Sequence, residues 1–364
     1  MPKPVYHKPS KSLLLPGRMA DSVLPYIPRA RVVNIKGKPV VQVKLGLDEA
    51  RVLRNLGIEA PSPIRYEYDW PTRYPHPLPH QIATTEYMTL FRRAMCLNEA
   101  GTGKTLSILW ALDWLMDRGD ITKALVACPK SIMDVWKDEC EEHLLFRKKV
   151  VIVQGDRSQR EKLLDSDADI YVTNHDGMKT LGQIITKKTE IDAVIIDEAS
   201  EGFRNAQTDR YKVLEAILKP RANYWLWLMT GTPISRAPTD AWAYGRLLSN
   251  PACPKYYSAF RDATMLKLTE YKWVPKSDAY RLAYKVMQPA IRFKKSDCVD
   301  LPPVTYRIHN CPLSKKQDAA FASMQRKLVL ATDGGGQITA ANAAVKLGKL
   351  LQICAGSIYD NKGE

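Results

Sequence analysis

Short apolar runs alternate with amphipathic stretches between residues 80 and 250. Apolar residues at helical spacing predict helices over Gln81–Arg93, Lys104–Arg118, Ser131–Leu145 and Asp209–Leu218. The apolar runs between them predict strands at Ala94–Leu97, Ala124–Ala127, Val150–Val153, Ile170–Val172, Ala193–Ile196 and Trp225–Met229. Buried strands that alternate with helices are typical of a parallel sheet with helices on both faces. The pattern therefore predicts an α/β fold.

The first 75 residues have a different pattern. Apolar residues at 32–35 and 40–43 flank Lys36-Gly37-Lys38 and predict a hairpin. Leu47–Leu56 then has helical spacing and stops at Gly57. A proline-rich stretch follows, and we place a domain boundary there. We expect residues 1–75 to form a small, basic α+β N-terminal domain that contacts DNA or another substrate.

After residue 250 the alternation ends. Residues 251–302 read as a helical, basic segment. Thr305–Cys311 predicts a strand, and helices are expected around Lys315–Leu330 and Ala340–Ile353. We therefore expect four parts: 1–75, 76–250, 251–302 and 303–364.

Composition and charge narrow the choice of partners. With 45% hydrophobic and 26% charged residues, the chain has the composition of a folded globular protein. Its net charge is +15, and the excess lies in the flanks. Residues 1–80 carry 13 basic and 6 acidic side chains, residues 81–254 carry 23 and 24, and residues 255–364 carry 18 and 9. This excess fits a polyanionic partner, although a solvated surface explains it equally well.

Cysteines and apolar segments exclude several other classes of protein. The seven cysteines are dispersed without CxxC spacing, which favours reduced thiols over disulfides or a structural zinc site. The chain has neither a signal segment nor an apolar run of the roughly 18 residues that a membrane span needs. We expect a cytoplasmic protein of the nucleoid or an infected host cell, with no membrane partner.

A loop with the pattern of a phosphate-binding site follows Ala94–Leu97. It leads into a predicted helix and reads Asn98-Glu99-Ala100-Gly101-Thr102-Gly103-Lys104-Thr105. The backbone N–H groups of such a loop and the N-terminus of its helix bind a phosphate anion. We expect Lys104 to reach the β- and γ-phosphates and Thr105 to hold Mg²⁺. The strict pattern has glycine where this chain has Asn98.

Two carboxylates, Asp197 and Glu198, follow the apolar run Ala193–Ile196. Downstream of a phosphate loop, such a pair at the end of a strand fits metal binding and water activation. We expect Asp197 to bind Mg²⁺ through water and Glu198 to orient or deprotonate the attacking water. Thr230-Gly231-Thr232-Pro233 follows the next apolar run. Alone it would be an ordinary polar turn before a helix, and it indicates a functional motif only because it comes after the first two motifs.

These motifs in this order resemble those of superfamily 2 helicases of the DEAD/DEAH-box type, and specifically the Swi/Snf family of double-stranded DNA translocases. The compact form is similar to bacteriophage and bacterial members, and the resemblance covers about residues 76–360. It implies a RecA-like P-loop NTPase lobe at 76–250 and the beginning of a second RecA-like lobe at 303–364. It also implies ATP and Mg²⁺ as ligands, with Lys104, Asp197 and Glu198 as catalytic residues.

The resemblance assigns further roles by motif. Pro77-Leu78-Pro79-His80-Gln81 is similar to the Q motif, in which Gln81 reads adenine. The residues that match nucleic-acid-binding positions of the family are Lys130, Ser131, Asn174, His175 and Arg204. Those that match motif III, which couples the state of the nucleotide to the grip on DNA, are Thr230, Gly231 and Thr232.

Three stretches favour the Swi/Snf branch over RNA helicases. They are Phe203-Arg204-Asn205 with Arg210-Tyr211-Lys212, then Arg292-Phe293-Lys294-Lys295-Ser296-Asp297 followed by Leu301-Pro302-Pro303, and finally Leu347 with Leu350-Leu351-Gln352-Ile353-Cys354. Ser200 departs from the usual His or Asp at the end of motif II. The arginine-finger motifs of the family do not occur before Glu364, so the resemblance implies a truncated chain. Because such a finger contributes on the order of 10³–10⁵ in rate, we expect this chain to hydrolyse ATP weakly.

The resemblance therefore implies an ATPase that moves as a monomer on duplex or branched DNA. Its contacts would be to the DNA backbone, with little sequence specificity. Two alternatives remain open: an RNA helicase of the same superfamily, and a nucleotide-gated module that binds DNA or protein without turnover.

Overall fold

The computed structural model describes residues 3–70, 77–220, 223–270, 272–298, 305–327, 329–331, 337–339 and 343–358. The backbone forms two compact units, residues 1–301 and 302–364. The finer division at residues 75 and 250 stays a prediction, and Leu301-Pro302-Pro303 lies outside the described residues. Within these ranges, no helix is both long and apolar enough to cross a membrane.

The N-terminal region contains a small antiparallel sheet. Its strands are β1 Val5–His7, β2 Ser12–Pro16, β3 Arg31–Ile35 and β4 Lys38–Lys44. They pair in the order β1-β2-β4-β3, and β3–β4 confirms the predicted hairpin. Its two-residue turn, Lys36-Gly37, has φ values of 49° and 76°. Positive φ at both turn residues matches the twist of a tight hairpin.

Helix packing completes this region. Its helices are α1 Ala20–Val23, α2 Leu47–Asn55 and α3 Ile64–Glu67. The predicted helix after the hairpin is confirmed as α2, and it stops before Gly57, whose φ of 78° ends a helix readily. One apolar core joins α2 to the sheet: Leu13, Leu15, Val41, Val43, Leu47, Ala50 and Leu53.

A larger parallel sheet dominates the first unit. The strands of this part are β5 Arg93–Cys96, β6 Lys123–Cys128, β7 Val150–Ile152, β8 Ile170–Asn174, β9 Ile191–Ile196, β10 Trp225–Met229, β11 Met265–Lys267, β12 Trp273–Pro275 and β13 Ala290–Ile291. In the described chain, seven of them form one parallel sheet in the order β13-β5-β10-β9-β6-β8-β7. The six strands predicted from apolar runs are confirmed as β5 to β10.

Helices cover both faces of this sheet. They are α4 Pro79–Leu90, α5 Lys104–Asp117, α6 Met133–His143, α7 Arg157–Leu164, α8 Gly177–Lys187, α9 Ala199–Gly202, α10 Asp209–Leu218, α11 Ala241–Leu247, α12 Tyr257–Thr264 and α13 Ala279–Val286. Alternate strand residues point to opposite faces. Thus Cys96 shares a core with Ile108 of α5, whereas Met95 shares the other core with Leu214 of α10. The predicted α/β fold is confirmed.

The prediction of a helical stretch over residues 251–302 is corrected in part. Helices α12 and α13 lie there, but β11 and β12 form an antiparallel hairpin. In addition, β13 joins the sheet edge, where Ala290 and Ile291 pair with Met95 and Cys96. Two apolar residues carry too little periodicity to distinguish a strand from a helix. The predicted helix Gln81–Arg93 also ends early, because Arg93 begins β5.

The second unit contains short elements. They are α14 Lys315–Lys327, β14 Val329–Ala331, β15 Gln337–Thr339 and α15 Ala343–Cys354. The two helices predicted here are confirmed as α14 and α15. Met324 and Ile353 are buried and pack against Phe321 and Leu350, so the two helices share a small core.

The predicted strand Thr305–Cys311 is wrong. These residues are irregular, and the side chains of Tyr306 and Ile308 are 90% and 89% exposed. A strand needs a neighbour that pairs with its backbone N–H and C=O groups. Among the strands of the described chain, none pairs with this segment, so its β-forming side chains do not produce a strand.

Candidate nucleotide site

The predicted motifs meet at one edge of the parallel sheet. Strands β5, β10 and β9 are neighbours, so the residues that follow them, 98–105, 230–233 and 197–200, lie at adjacent carboxyl ends. Strands β6 and β8 end at the same edge and lead into residues 129–131 and 174–175. In open α/β sheets, ligands bind outside the carboxyl ends of the strands.

The phosphate loop connects β5 to α5 and is closed by its own hydrogen bonds. Gly101 and Gly103 have φ values of 77° and 73°, a left-handed conformation that glycine adopts at little steric cost. Thr102 Oγ1 donates to the carbonyl oxygen of Glu99 at 2.8 Å, and Lys104 Nζ donates to the same oxygen at 3.4 Å. Because α5 begins at Lys104, the positive end of its dipole faces the loop.

Helix α4 brings two polar side chains against this loop. A Cβ atom on Gly103 would lie 2.2 Å from Gln81 Nε2, and Gln81 Oε1 accepts from the N–H of Leu78 at 2.9 Å. His80 is buried, and its Nε2 lies 2.9 Å from the carbonyl oxygen of Thr102. The Q motif predicts that Gln81 lies near the nucleotide. The contact of His80 with the phosphate loop was not predicted, and its position just before Gln81 is the one feature of the sequence that could have indicated it.

Asn98 and Glu99 use their side chains inside the protein. Asn98 is buried, its Nδ2 donates to Thr84 Oγ1 at 2.8 Å, and its Oδ1 accepts from the N–H of Phe293 at 2.9 Å. Glu99 Oε2 accepts from the N–H of Lys295 at 2.9 Å. An amide at position 98 therefore joins α4 to the segment after β13, which explains why this chain departs from glycine there. Because both side chains are engaged within the protein, we expect these two residues to contact a nucleotide through their backbone.

Asp197 lies in the protein interior at the end of β9. It is 4% exposed, its Oδ2 accepts from the indole N–H of Trp136 at 3.0 Å, and its Oδ1 accepts from the N–H of Glu198 at 2.9 Å. Burial raises the pKa of Asp197, while the Trp136 hydrogen bond and the Lys104 charge act against this rise. Sequence reasoning missed the role of Trp136, since its partner is 61 residues away.

Glu198 is half-buried and has a strained backbone. Its φ is 48°, a left-handed value that costs energy for a residue with a side chain and occurs often at functional sites. Burial raises the pKa of Glu198, the Lys104 charge lowers it, and the Asp197 charge raises it. Nearby Glu139 of α6 is a third acid, and burial together with the Asp197 and Glu142 charges raises its pKa to about 7.

Thr230 links the carboxylates to the third motif. Its Oγ1 lies 3.1 Å from Ser200 Oγ and 3.5 Å from Glu198 Oε2, and it accepts from the N–H of Thr232 at 3.1 Å. Ser200 thus connects motifs II and III although it differs from the usual residue. A Cβ atom on Gly231 would lie 3.5 Å from the N atom of Ala100, so the third motif also packs on the phosphate loop.

The five predicted nucleic-acid contacts fall into two groups. Lys130 and Ser131 are exposed in the turn before α6, and Arg204 donates to Ser235 Oγ at 2.5 Å beside a cavity of about 320 Å³. Asn174 is partly buried and accepts from Arg160 at 3.3 Å. By contrast, the His175 ring is buried, and its Nε2 lies 2.8 Å from the carbonyl oxygen of Asp197. The His175 ring therefore positions motif II instead of facing solvent.

Thr105 and Asp197 offer the oxygen ligands that Mg²⁺ prefers. In the described ranges, no group of three or more His, Cys, Asp or Glu side chains is arranged to hold a metal. A nucleotide-bound Mg²⁺ does not need such a group, because it takes one or two protein oxygens and completes its shell with phosphates and water. The hydroxyl of Thr105 and the carboxylate of Asp197 therefore fit this ion.

Comparisons with known proteins agree with the fold and with the predicted family. Protein p41 of Acyrthosiphon pisum secondary endosymbiont phage 1 is 26% identical over 299 residues, which cover 78% of this chain. The uncharacterized ATP-dependent helicase YqhH of Bacillus subtilis is 30% identical over 161 residues, which cover 43% of this chain. Among solved structures, the Sulfolobus solfataricus SWI2/SNF2 ATPase core in complex with dsDNA matches 79% of this chain at a TM-score of 0.52 and 21% identity.

The matched relatives are longer than this chain. It spans 65% of p41, 27% of YqhH and 59% of the Sulfolobus chain, less than two thirds in each case. The likeness to the Sulfolobus core supports the shared fold. A model of the SNF2-related domain matches residues 80–356, which include the phosphate loop, the two carboxylates and motif III. This confirms the predicted resemblance, and the chain belongs to the SNF2-related domain family.

Proposed function

We propose that this chain is the ATP-binding and ATP-hydrolysing part of a motor that moves along duplex or branched DNA. One observation carries the proposal: the loop at 98–105, the carboxylates of Asp197 and Glu198 and the hydroxyl of Thr230 share one sheet edge. The family assignment and the Sulfolobus relative solved with double-stranded DNA support the choice of ligands.

The phosphate loop binds the nucleotide through its backbone and Lys104. The first N–H groups of α5 and the lysine ammonium act together on the phosphate anions. Because Lys104 has a long 3.4 Å contact to a loop carbonyl, its ammonium exchanges that contact for a phosphate oxygen at little cost. Gln81 lies against Gly103, and we propose that its amide hydrogen-bonds the adenine base.

Asp197 and Glu198 carry the hydrolytic chemistry. Glu198 orients a water molecule and accepts one of its protons, which then passes to solvent. The water oxygen bonds to the γ-phosphorus while the bond to the bridging oxygen breaks, which yields ADP and phosphate. When bound, Mg²⁺ neutralises charge on the β- and γ-phosphate oxygens, and Thr105 and Asp197 would hold it. The indole of Trp136 and the N–H of Glu198 fix the orientation of the Asp197 carboxylate.

Thr230 couples the nucleotide site to the proposed DNA contacts. Its hydroxyl lies between Ser200 and Glu198, and the chain after it reaches Ser235, which accepts from Arg204. A change at the γ-phosphate that moves Glu198 therefore displaces the segment bonded to Arg204. We propose Lys130, Ser131, Asn174 and Arg204 as contacts to DNA phosphates, which carry no sequence information.

Steady-state ATP hydrolysis with and without duplex DNA tests this function. We compare the wild type with Lys104→Ala, with Glu198→Gln and with a matched control, Lys137→Ala, whose lysine pairs with Glu141 in a partly exposed ion pair on α6. We expect slow hydrolysis that duplex DNA stimulates in the wild type and the control, in keeping with the weak activity expected of this chain, and its loss in the other two variants. Glu198→Gln should still bind Mg-ATP, because it changes the water-orienting group alone.

Three outcomes contradict the proposal in different ways. A wild type that binds no nucleotide refutes the phosphate site. Binding without turnover, with or without DNA, refutes the motor for this chain and favours a nucleotide-gated binding module. Stimulation by RNA in place of DNA favours an RNA helicase.

A further inference from the structure

The segment after β13 continues alongside the phosphate loop. Three backbone N–H groups of the β5 strand and loop donate to it in register: Met95 to the carbonyl oxygen of Pro289 at 2.9 Å, Leu97 to that of Ile291 at 2.8 Å, and Glu99 to that of Phe293 at 3.0 Å. This regular spacing extends past the end of the sheet. Residues 289–295 therefore lie along the outer side of the loop.

Two side-chain contacts strengthen this docking. The N–H of Phe293 donates to Asn98 Oδ1, and the N–H of Lys295 donates to Glu99 Oε2, each at 2.9 Å. Both acceptors belong to the first two positions of the phosphate loop. The backbone around position 295 is thus fixed to the loop by bonds that do not involve the Lys295 side chain.

The side chain of Lys295 lies over the centre of the loop. A Cβ atom on Gly101 would lie 3.4 Å from both Cε and Nζ of Lys295. Gly101 has a φ of 77° and is exposed, so the loop backbone there is open to a ligand. Lys295 is partly buried, and its ammonium lies beside this exposed part of the loop backbone.

We propose that Lys295 is a second phosphate-binding lysine of this site, which contacts a nucleotide beyond its α-phosphate. The inference rests on the proposed nucleotide site and deepens it. Lys104 approaches from the start of α5, whereas Lys295 approaches from the segment outside the sheet edge, so the two ammonium groups reach the anion from different elements. Because the backbone of Lys295 is bonded to Glu99, occupancy of the loop also stabilises the docked position of residues 289–295.

Equilibrium binding of AMP, ADP and ATP in the presence of Mg²⁺ tests this contact. The variants are Lys295→Ala, the neutral long-chain Lys295→Gln and the charge-preserving Lys295→Arg. Lys294→Ala is the matched control, since it removes the same charge one residue away from an exposed position. Thermal unfolding of each variant verifies that it is folded, which we expect because the backbone contacts at position 295 remain.

We expect Lys295→Ala and Lys295→Gln to weaken ADP and ATP binding about tenfold, the size of one charge-assisted contact. AMP binding should change less than about twofold, Lys295→Arg should retain most of the affinity, and Lys294→Ala should match the wild type.

Equal affinities for Lys295→Ala and Lys294→Ala, with Lys104→Ala still defective, overturn this inference and leave the proposed site intact. An equal loss for AMP and ADP also overturns it, because the contact would then not involve the outer phosphates. If the wild type binds none of the three nucleotides, the proposed function fails first.

Discussion

The two ends of the parallel sheet both carry cationic side chains, but their partners differ. At the amino end, Arg93 donates to the carbonyl oxygen of Leu247 at 3.2 Å, and Arg92 donates to that of Asn223 at 3.0 Å. At the carboxyl end, Lys104 makes a long 3.4 Å contact to a loop carbonyl. Arg92 and Arg93 at the amino end thus donate to main-chain oxygens at ordinary distances, whereas the contact of Lys104 is long, and we propose that its ammonium binds the nucleotide.

The arginines at the amino end of the sheet form a cluster whose role is structural. Arg51, Arg54, Arg92 and Arg93 line a cavity of about 270 Å³, and Arg51 and Arg92 lie 5.5 Å and 5.1 Å from the centre of the Trp225 ring. Burial lowers the pKa of Arg51, and the neighbouring Arg92 charge adds to this. These arginines stabilise the packing of the chain segments around the amino ends of β5 and β10. Their removal should therefore lower the stability of the fold more than it lowers nucleotide affinity.

Trp136→Phe is expected to give the largest loss of stability, and it tests the carboxyl end. It removes the indole donor of buried Asp197, and a buried acceptor without its donor costs about 1–3 kcal/mol. Trp110→Phe is a matched control: Trp110 is 2% exposed, and its indole nitrogen has no hydrogen-bond partner in the described structure. We expect denaturant unfolding to show the extra loss for Trp136→Phe; equal losses would mean that the Asp197 contact contributes nothing.

Gly103→Ala comes next and separates the loop from the rest of α5. Gly103 and Gly119 flank α5 with φ values of 73° and 74°, so alanine at either position costs about 1 kcal/mol of backbone strain. Only at Gly103 would the new Cβ meet Gln81, at 2.2 Å, whereas Gly119 has no neighbour within 4 Å among the described atoms. We therefore expect similar stability losses but a roughly tenfold weaker ATP affinity for Gly103→Ala alone. Equal affinities in a nucleotide titration would contradict this.

Arg93→Ala probes the amino end. It removes the donors to Leu247 and to Ser249, and we expect a loss of about 1–2 kcal/mol in the free energy of unfolding. The control Arg118→Ala removes an exposed pair with Asp120, for which at most about 0.5 kcal/mol is expected. Denaturant titration of both variants distinguishes the two, and a loss no larger than that of the control would show that Arg93 is not a structural clamp.

Glu139→Gln is expected to give the smallest change in the free energy of unfolding, and this change depends on pH. The pKa of Glu139 is about 7 in the folded protein against an ordinary 4.5, so between these values the folded state holds a proton that the unfolded chain has released. Stability due to this group is therefore full below about pH 4.5 and is lost as the pH rises through 7. Because Glu139 is partly exposed, we expect a change on the order of 1 kcal/mol. Unfolding of Glu139→Gln between pH 5 and 8 should lack this decline, and an unchanged pH profile would contradict it.

Much of the carboxyl end can be predicted from the sequence. The phosphate loop, Asp197-Glu198 and Thr230-Gly231-Thr232 are local patterns, and each follows an apolar run long enough to indicate a strand. Since consecutive parallel strands end at the same edge, their assembly into one site follows from the pattern of strands and helices. The six central strands were predicted for the same reason.

Contacts between distant parts of the chain could not be predicted in this way. Trp136 and Asp197 are 61 residues apart, and Lys295 and Glu99 are 196 apart, so no local pattern connects them. Strand β13 has two residues and exists because it pairs with the edge strand β5. The exposed segment Thr305–Cys311 shows the converse: its strand-forming side chains pair with no strand among the described residues, and the segment is irregular.

Titration of the wild type, Lys104→Ala and Arg93→Ala with a fluorescent ATP analogue and Mg²⁺ tests the central contrast between the two ends of the sheet. We expect Lys104→Ala to lose at least about 100-fold in affinity while remaining folded. Arg93→Ala should bind within about twofold of the wild type despite its lower stability. Equal weakening of both variants, or a wild type that does not bind the analogue, would contradict the assignment of the carboxyl end as the nucleotide site.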